Sequence, residues 1–152
     1  MPRLRGKVPK RRHRATKDEL RGGGWAFYLD KGMPWLADFI ARAGAAVISA
    51  EEAAGADAPD YPHLNWARKE GRVFVTRDEE RARSEQANLV GSPGILVLKA
   101  HTGTGQDLTG LFTAAILAIQ LPDRFRARVV IASRGQMKVH EADGTSWSVA
   151  AL

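Results

Sequence analysis

Trp25-Ala26-Phe27-Tyr28-Leu29-Asp30-Lys31-Gly32-Met33-Pro34-Trp35 is the stretch on which the fold turns. Its first five residues are apolar and rich in aromatics, with no polar alternation, so they read as a strand buried on both faces. Asp30 ends the strand, and Pro34 stands where a helix begins. Trp35, Leu36, Phe39, Ile40 and Ala43 then recur at helical spacing, and Gly44 stops the helix. A buried strand followed at once by an amphipathic helix is the first half of a βαβ unit.

The same alternation continues downstream. Ala45 to Ser49 reads as a second strand, followed by a loop or frayed turn from Glu51 to Pro59. Asp60 caps a helix running to Glu70, and Gly71 ends it. Arg72 to Thr76 is a third strand, closed by Arg77-Asp78-Glu79-Glu80, with a short polar helix from Glu79 to Asn88. Pro93-Gly94 introduces a fourth strand, Ile95 to Leu98. Leu108, Leu111, Phe112, Ala115, Ile116 and Ile119 mark the clearest amphipathic helix, limited by Pro122. Arg128 to Ala132 and Met137 to His140 form a terminal hairpin around Ser133-Arg134-Gly135-Gln136, and a last short strand runs from Trp147 to Val149. Strands alternating with helices predict an α/β fold: a small doubly wound parallel sheet in the order 2-1-3-4, with a C-terminal β-hairpin.

Residues 1–24 stand apart. They hold nine Lys or Arg against two acids, a charge of +7, whereas the rest of the chain holds fourteen against fifteen. The net charge of +6 is thus a property of this segment. It has almost no apolar periodicity, and Pro2, Pro9 and Gly22-Gly23-Gly24 interrupt it, so a basic arm (1–24) ahead of one domain (25–152) is expected. Arg11, Arg12 and Arg14 lie in it as candidate phosphate contacts; a solubilising extension is the bland reading. No apolar run approaches the roughly 18 residues that span a bilayer, and no export signal is expected, which places the protein in the cytoplasm. With no cysteine in the chain, disulfides and thiolate metal sites are excluded.

In a 2-1-3-4 sheet the first and third strands are neighbours at the point where strand order reverses, the usual place for a ligand. Asp30 and Asp78 end those two strands, and Asp60, at the start of the intervening helix, joins them from the same edge. Three carboxylates together repel one another unless a cation compensates, and oxygen ligands favour Mg2+ or Mn2+. Strand-end aspartates are also common as caps and turn residues. Arg77 beside them is placed to hold a phosphate. His13, His63, His101 and His140 show no metal spacing and read as surface or loop residues. Trp35 and Trp66, at helical spacing, read as core. Gly103-Thr104-Gly105-Gln106 lacks the Gly-Lys-Ser/Thr of a phosphate loop and reads as a flexible loop before a helix starting at Leu108.

Phe27 to Pro34 resembles the opening strand and turn of PIN-like domains, in the short bacterial branch related to toxins of toxin–antitoxin pairs. There the strand closes on Leu-Asp-Glu-Asn-Leu-Pro or a near variant. Gly55-Ala56-Asp57-Ala58-Pro59-Asp60, with Ala67-Arg68-Lys69-Glu70-Gly71-Arg72-Val73-Phe74-Val75-Thr76-Arg77-Asp78, is similar to the second signature of that branch: an acid seven residues before an Ala, then Val-Thr-x-Asp-x-Asp-Phe. Pro93 to Leu98 is similar to the fourth strand, and Val129-Val130-Ile131 with Met137-Lys138-Val139 to the final hairpin. The resemblance covers residues 25 to 141. It implies a Mg2+- or Mn2+-dependent ribonuclease in which Asp30, Asp60 and Asp78 hold the metal and Glu80 assists. Lys31, Arg77, Arg11, Arg12 and Arg14 would contact RNA. The implied partners are RNA, an antitoxin protein and a second copy of the chain, with no membrane. Two positions depart from the pattern: Lys31 stands where an acid is usual, and Glu80-Arg81 replaces Asp-Phe. Lys31 either meets a phosphate or takes the place of a metal's charge. The latter leads to the alternative, a non-catalytic nucleic-acid-binding or protein-interaction module with a degenerate site.

Overall fold

Mostly apolar runs of four residues make the central strands, and both faces of Val73–Thr76 and Ile95–Leu98 are buried along their whole length. The computed structural model describes residues 20, 24–54, 63–85, 89–100, 105–120 and 122–150. The strands are β1 (Ala26–Leu29), β2 (Ala46–Ser49), β3 (Val73–Thr76), β4 (Ile95–Leu98), β5 (Arg128–Ser133), β6 (Gln136–Glu141) and β7 (Ser146–Ala150). The helices are α1 (Pro34–Arg42), α2 (Ala50–Ala54), α3 (His63–Lys69), α4 (Glu79–Ser84) and α5 (Gly105–Ile119), with a 3-10 turn at Pro122–Arg124.

All seven strands join one sheet in the order β2-β1-β3-β4-β5-β6-β7. The first five positions are parallel, and β6 and β7 add antiparallel. The 2-1-3-4 order expected from the sequence is therefore present, and the hairpin extends it. On β5, β6 and β7, Glu141 accepts from Arg128 Nε at 2.8 Å and from Trp147 Nε1 at 2.8 Å. These bonds hold the Glu141 carboxyl below its ordinary pKa, Trp147 contributing most.

Side chains alternate between two cores. Phe27, Leu29, Val73, Val75, Leu96, Leu98, Val130 and Ala132 face one side, against Leu36 and Ile40 of α1 and the length of α5. Tyr28, Phe74, Ile95, Val97, Val129 and Ile131 face the other, against Ala50, Ala67 and Ala82 of α2, α3 and α4. Phe112 of α5 meets Phe27 edge-on, centroids 5.2 Å apart, and Trp25 stacks on Phe27 at 5.6 Å. Among the described residues no helix is long and apolar enough to cross a membrane.

Several expectations are corrected. Leu20, inside the segment read as an arm, is buried in the first core, so the packed body reaches back at least that far; residues 1–19 and 21–23 lie outside the described residues. Helix α5 begins at Gly105, so Gly105 and Gln106 belong to a helix rather than a loop. Helix α4 ends at Ser84, shorter than the run to Asn88, because Glu85 caps it. Trp35 is 70% exposed and Trp66 44%, so neither is core: Leu36 and Ile40, and Ala67, take the inward faces of their helices.

Candidate functional site

Asp30 and Asp78 leave adjacent parallel strands, registered Phe27 to Val73 and Leu29 to Val75, at the carboxyl edge. Strand β2 lies on the far side of β1, so strand order reverses here. The buried Thr76 hydroxyl joins the two acids. It donates to Asp30 Oδ2 at 2.7 Å and accepts from the Asp78 backbone N–H at 3.1 Å. Asp78 also caps α4, its Oδ1 accepting from the Arg81 backbone N–H at 3.0 Å.

Arg81 returns to Asp30 through its side chain. Its Nη1 stands 3.3 Å from Asp30 Oδ2 and 3.4 Å from Oδ1. The Lys31 backbone N–H donates to Asp30 Oδ1 at 2.9 Å. The Asp30 side chain is 14% exposed and that of Arg81 38%. No feature of composition pointed to this pair; the one signal was the cation at a position where the resembled pattern has Phe.

His63 was a miss. Read from the sequence as a surface or loop residue, it starts α3, is buried, and shares a 2.7 Å hydrogen bond between Nδ1 and the hydroxyl of the fully buried Tyr28. Burial lowers the His63 pKa, with Asp30 opposing and Arg81 and Lys31 adding to the fall. His63 thus stands in the field of the acid site. Glu51 shares that field, and its Oε1 is buried without a hydrogen-bond partner among the described residues. His140, on β6, is likewise buried rather than at the surface, and burial lowers its pKa as well. His13 and His101 lie outside the described residues.

The remaining candidates divide. Lys31 and Arg77 are exposed at the same edge. Arg77 lines an open hollow of about 290 Å3 with Leu98, Lys99 and Ala100. On α4, Glu79 pairs with Lys99 at 3.0 Å, and Glu80 is exposed. Asp60, Arg11, Arg12 and Arg14 lie outside the described residues.

Comparison of the chain with protein-family models, with curated proteins and with solved structures finds no match.

The donors at this edge suit a hard divalent cation in kind. They are two carboxylates and a hydroxyl, and Mg2+ keeps several waters and takes only one or two protein carboxylates. Among the described residues no three His, Asp or Glu converge on one point. Asp30's acceptor positions are filled by Lys31 N, Thr76 Oγ1 and Arg81 Nη1. A cation therefore fits at Asp30 only in the place of the Arg81 guanidinium.

Proposed function

We propose that the chain is a PIN-like domain that cleaves RNA with Mg2+ or Mn2+, acting in the cytoplasm. The observation that carries this reading is the joining of Asp30 and Asp78 through Thr76 at the strand-order switch point. A divalent ion held there would supply an activated water and neutralise charge on the phosphate. Asp30 and Asp78 would hold it, with Asp60 entering from the segment ahead of α3 and Glu80 assisting from α4. Lys31 and Arg77 would meet phosphates, and Arg11, Arg12 and Arg14 would extend the contact along the strand of RNA. An antitoxin that restrains the activity, and a homodimer, follow by analogy with PIN-like toxins alone.

A second reading, a non-catalytic nucleic-acid-binding module with a degenerate site, is favoured by one observation: Arg81 already compensates Asp30, and Lys31 adds a second positive charge beside it. Titration calorimetry with Mg2+ and Mn2+, on the chain and on its Asp30→Asn/Asp78→Asn double variant, separates the two. The hydrolase reading expects binding that the double variant loses, with metal-dependent cleavage of a labelled single-stranded RNA. RNA binding that ignores both metal and substitution would support the second reading. If neither metal nor RNA binds, both readings fail.

A further inference from the structure

Arg81 engages the carboxylates of both acids, and it does so through two different parts. Its backbone N–H holds Asp78 Oδ1 at 3.0 Å as part of the α4 cap. Its guanidinium reaches Asp30 through a single nitrogen at 3.3 and 3.4 Å. Charge-assisted N–H···O bonds ordinarily close to about 2.7–2.9 Å, so this pair is loose. The side chain is 38% exposed, which lets water compete for it. The backbone anchor does not depend on where the guanidinium goes. If the side chain leaves Asp30, the helix cap stays and the guanidinium remains within a side-chain length of the site.

We infer that Arg81 is a phosphate-positioning residue that Asp30 holds in reserve: a divalent cation displaces the guanidinium from Asp30, and the freed fork then takes the phosphodiester of the RNA. The chemistry favours that exchange. Guanidinium presents five N–H donors in a plane that matches two phosphate oxygens, and only Nη1 is committed to Asp30. Lys31 and Arg77 already make the surrounding edge attractive to an anion. The inference rests on the proposed cation site, and it gives Arg81 two effects of opposite sign. Before binding it competes with the cation. After binding it holds the substrate.

The test uses the full chain and its Arg81→Ala and Arg81→Lys variants, with circular dichroism to confirm that each is folded. Mn2+ affinity is read by titration calorimetry. RNA affinity in saturating Mn2+ is read by fluorescence anisotropy with a labelled single-stranded oligonucleotide carrying phosphorothioate linkages. Arg81→Ala should bind Mn2+ about two- to fivefold more tightly, the scale of a partly exposed ion pair. The same variant should bind RNA about tenfold more weakly. Arg81→Lys should return Mn2+ affinity towards the starting value and recover RNA binding only in part, because it restores charge without the fork. Unchanged Mn2+ affinity in Arg81→Ala, or unchanged RNA affinity, overturns the inference while leaving the cation site standing. No Mn2+ binding to any of the three proteins overturns the cation site and the inference with it.

Discussion

At the scale of single residues, the acid pair and its surroundings differ in how visible they are from the chain alone. Asp30 and Asp78 are legible because Asp30 directly follows one apolar strand and Asp78 stands two residues beyond the end of another, so strand order puts them at one edge. Arg81 and His63 are not legible, because their partners are remote. Arg81 meets an acid 51 positions away, and His63 meets Tyr28 across 35. A lone histidine near a helix start carries no local sign of burial. Its burial has a consequence for stability. The folded-state pKa values of His63 and His140 are lowered, so below about pH 6.5 the unfolded chain binds more protons than the folded one. The stability is fully present above about pH 6.5 and falls as the pH drops through the folded-state values of the two histidines. The lowered pKa of Glu141 acts only at more acidic pH and does not contribute in this window. Urea denaturation at pH 7.5 and 5.5 should give a smaller unfolding free energy at pH 5.5, and His63→Gln should narrow the gap. Equal stability at both pH values would show that the imidazoles are not held neutral by burial.

At the scale of elements, legibility follows the hydrophobic pattern. Ile95 to Leu98 is continuous, apolar and buried at every position, and the Pro93-Gly94 pair before it marks its start. The exposed tryptophans were misplaced because helical spacing identifies a helix without saying which of its faces is covered. In α1 the inward face belongs to Leu36 and Ile40, leaving Trp35 beside the carboxyl edge where the helix begins. A pattern of hydrophobicity also cannot reveal how closely two segments approach. Gly94 has φ +112°, and a Cβ there would lie 2.1 Å from the backbone oxygen of Phe125. That approach docks Phe125, which is fully buried and packs edge-on against Trp25 at 5.5 Å. Gly94 also accepts the Phe74 backbone N–H at 3.1 Å, so the contact ties the start of β4 to β3. An alanine must either push Phe125 out of the core or distort that junction. Gly94→Ala should therefore cost about 2 kcal/mol or more. A Tm lowered by several degrees in thermal denaturation is the expected reading, and an unchanged Tm would mean that the Phe125 segment yields freely.

At the scale of the whole molecule, charge and fold are distributed separately. The body from residue 25 onward is nearly neutral, with fourteen basic and fifteen acidic residues, while residues 1–24 carry +7. Yet the division at residue 24 is not a division of packing, since Leu20 sits in the same core as α1 and α5. Leu20 escaped notice because one apolar residue among basic neighbours has no period to announce it. Its burial fixes one point of the basic segment, Leu20, to the folded body. If the partner is RNA, the cations of that segment act by releasing counterions, and the slope of log affinity against log salt counts them at about 0.7 per phosphate contact on a single strand. Replacing Arg11, Arg12 and Arg14 together by Ala should lower that slope by about 2. Affinity should fall at low salt and converge with that of the unaltered chain at high salt. The Tm should stay the same, because the three substitutions leave Leu20 and the described core residues themselves unaltered. Anisotropy titrations of a labelled single-stranded RNA at four salt concentrations measure the slope directly. An unaltered slope would assign the RNA contact to Lys31, Arg77 and Arg81 at the sheet edge alone. A slope near zero for the unaltered chain would remove nucleic acid from the account of this protein and leave the carboxyl edge to a partner of another kind.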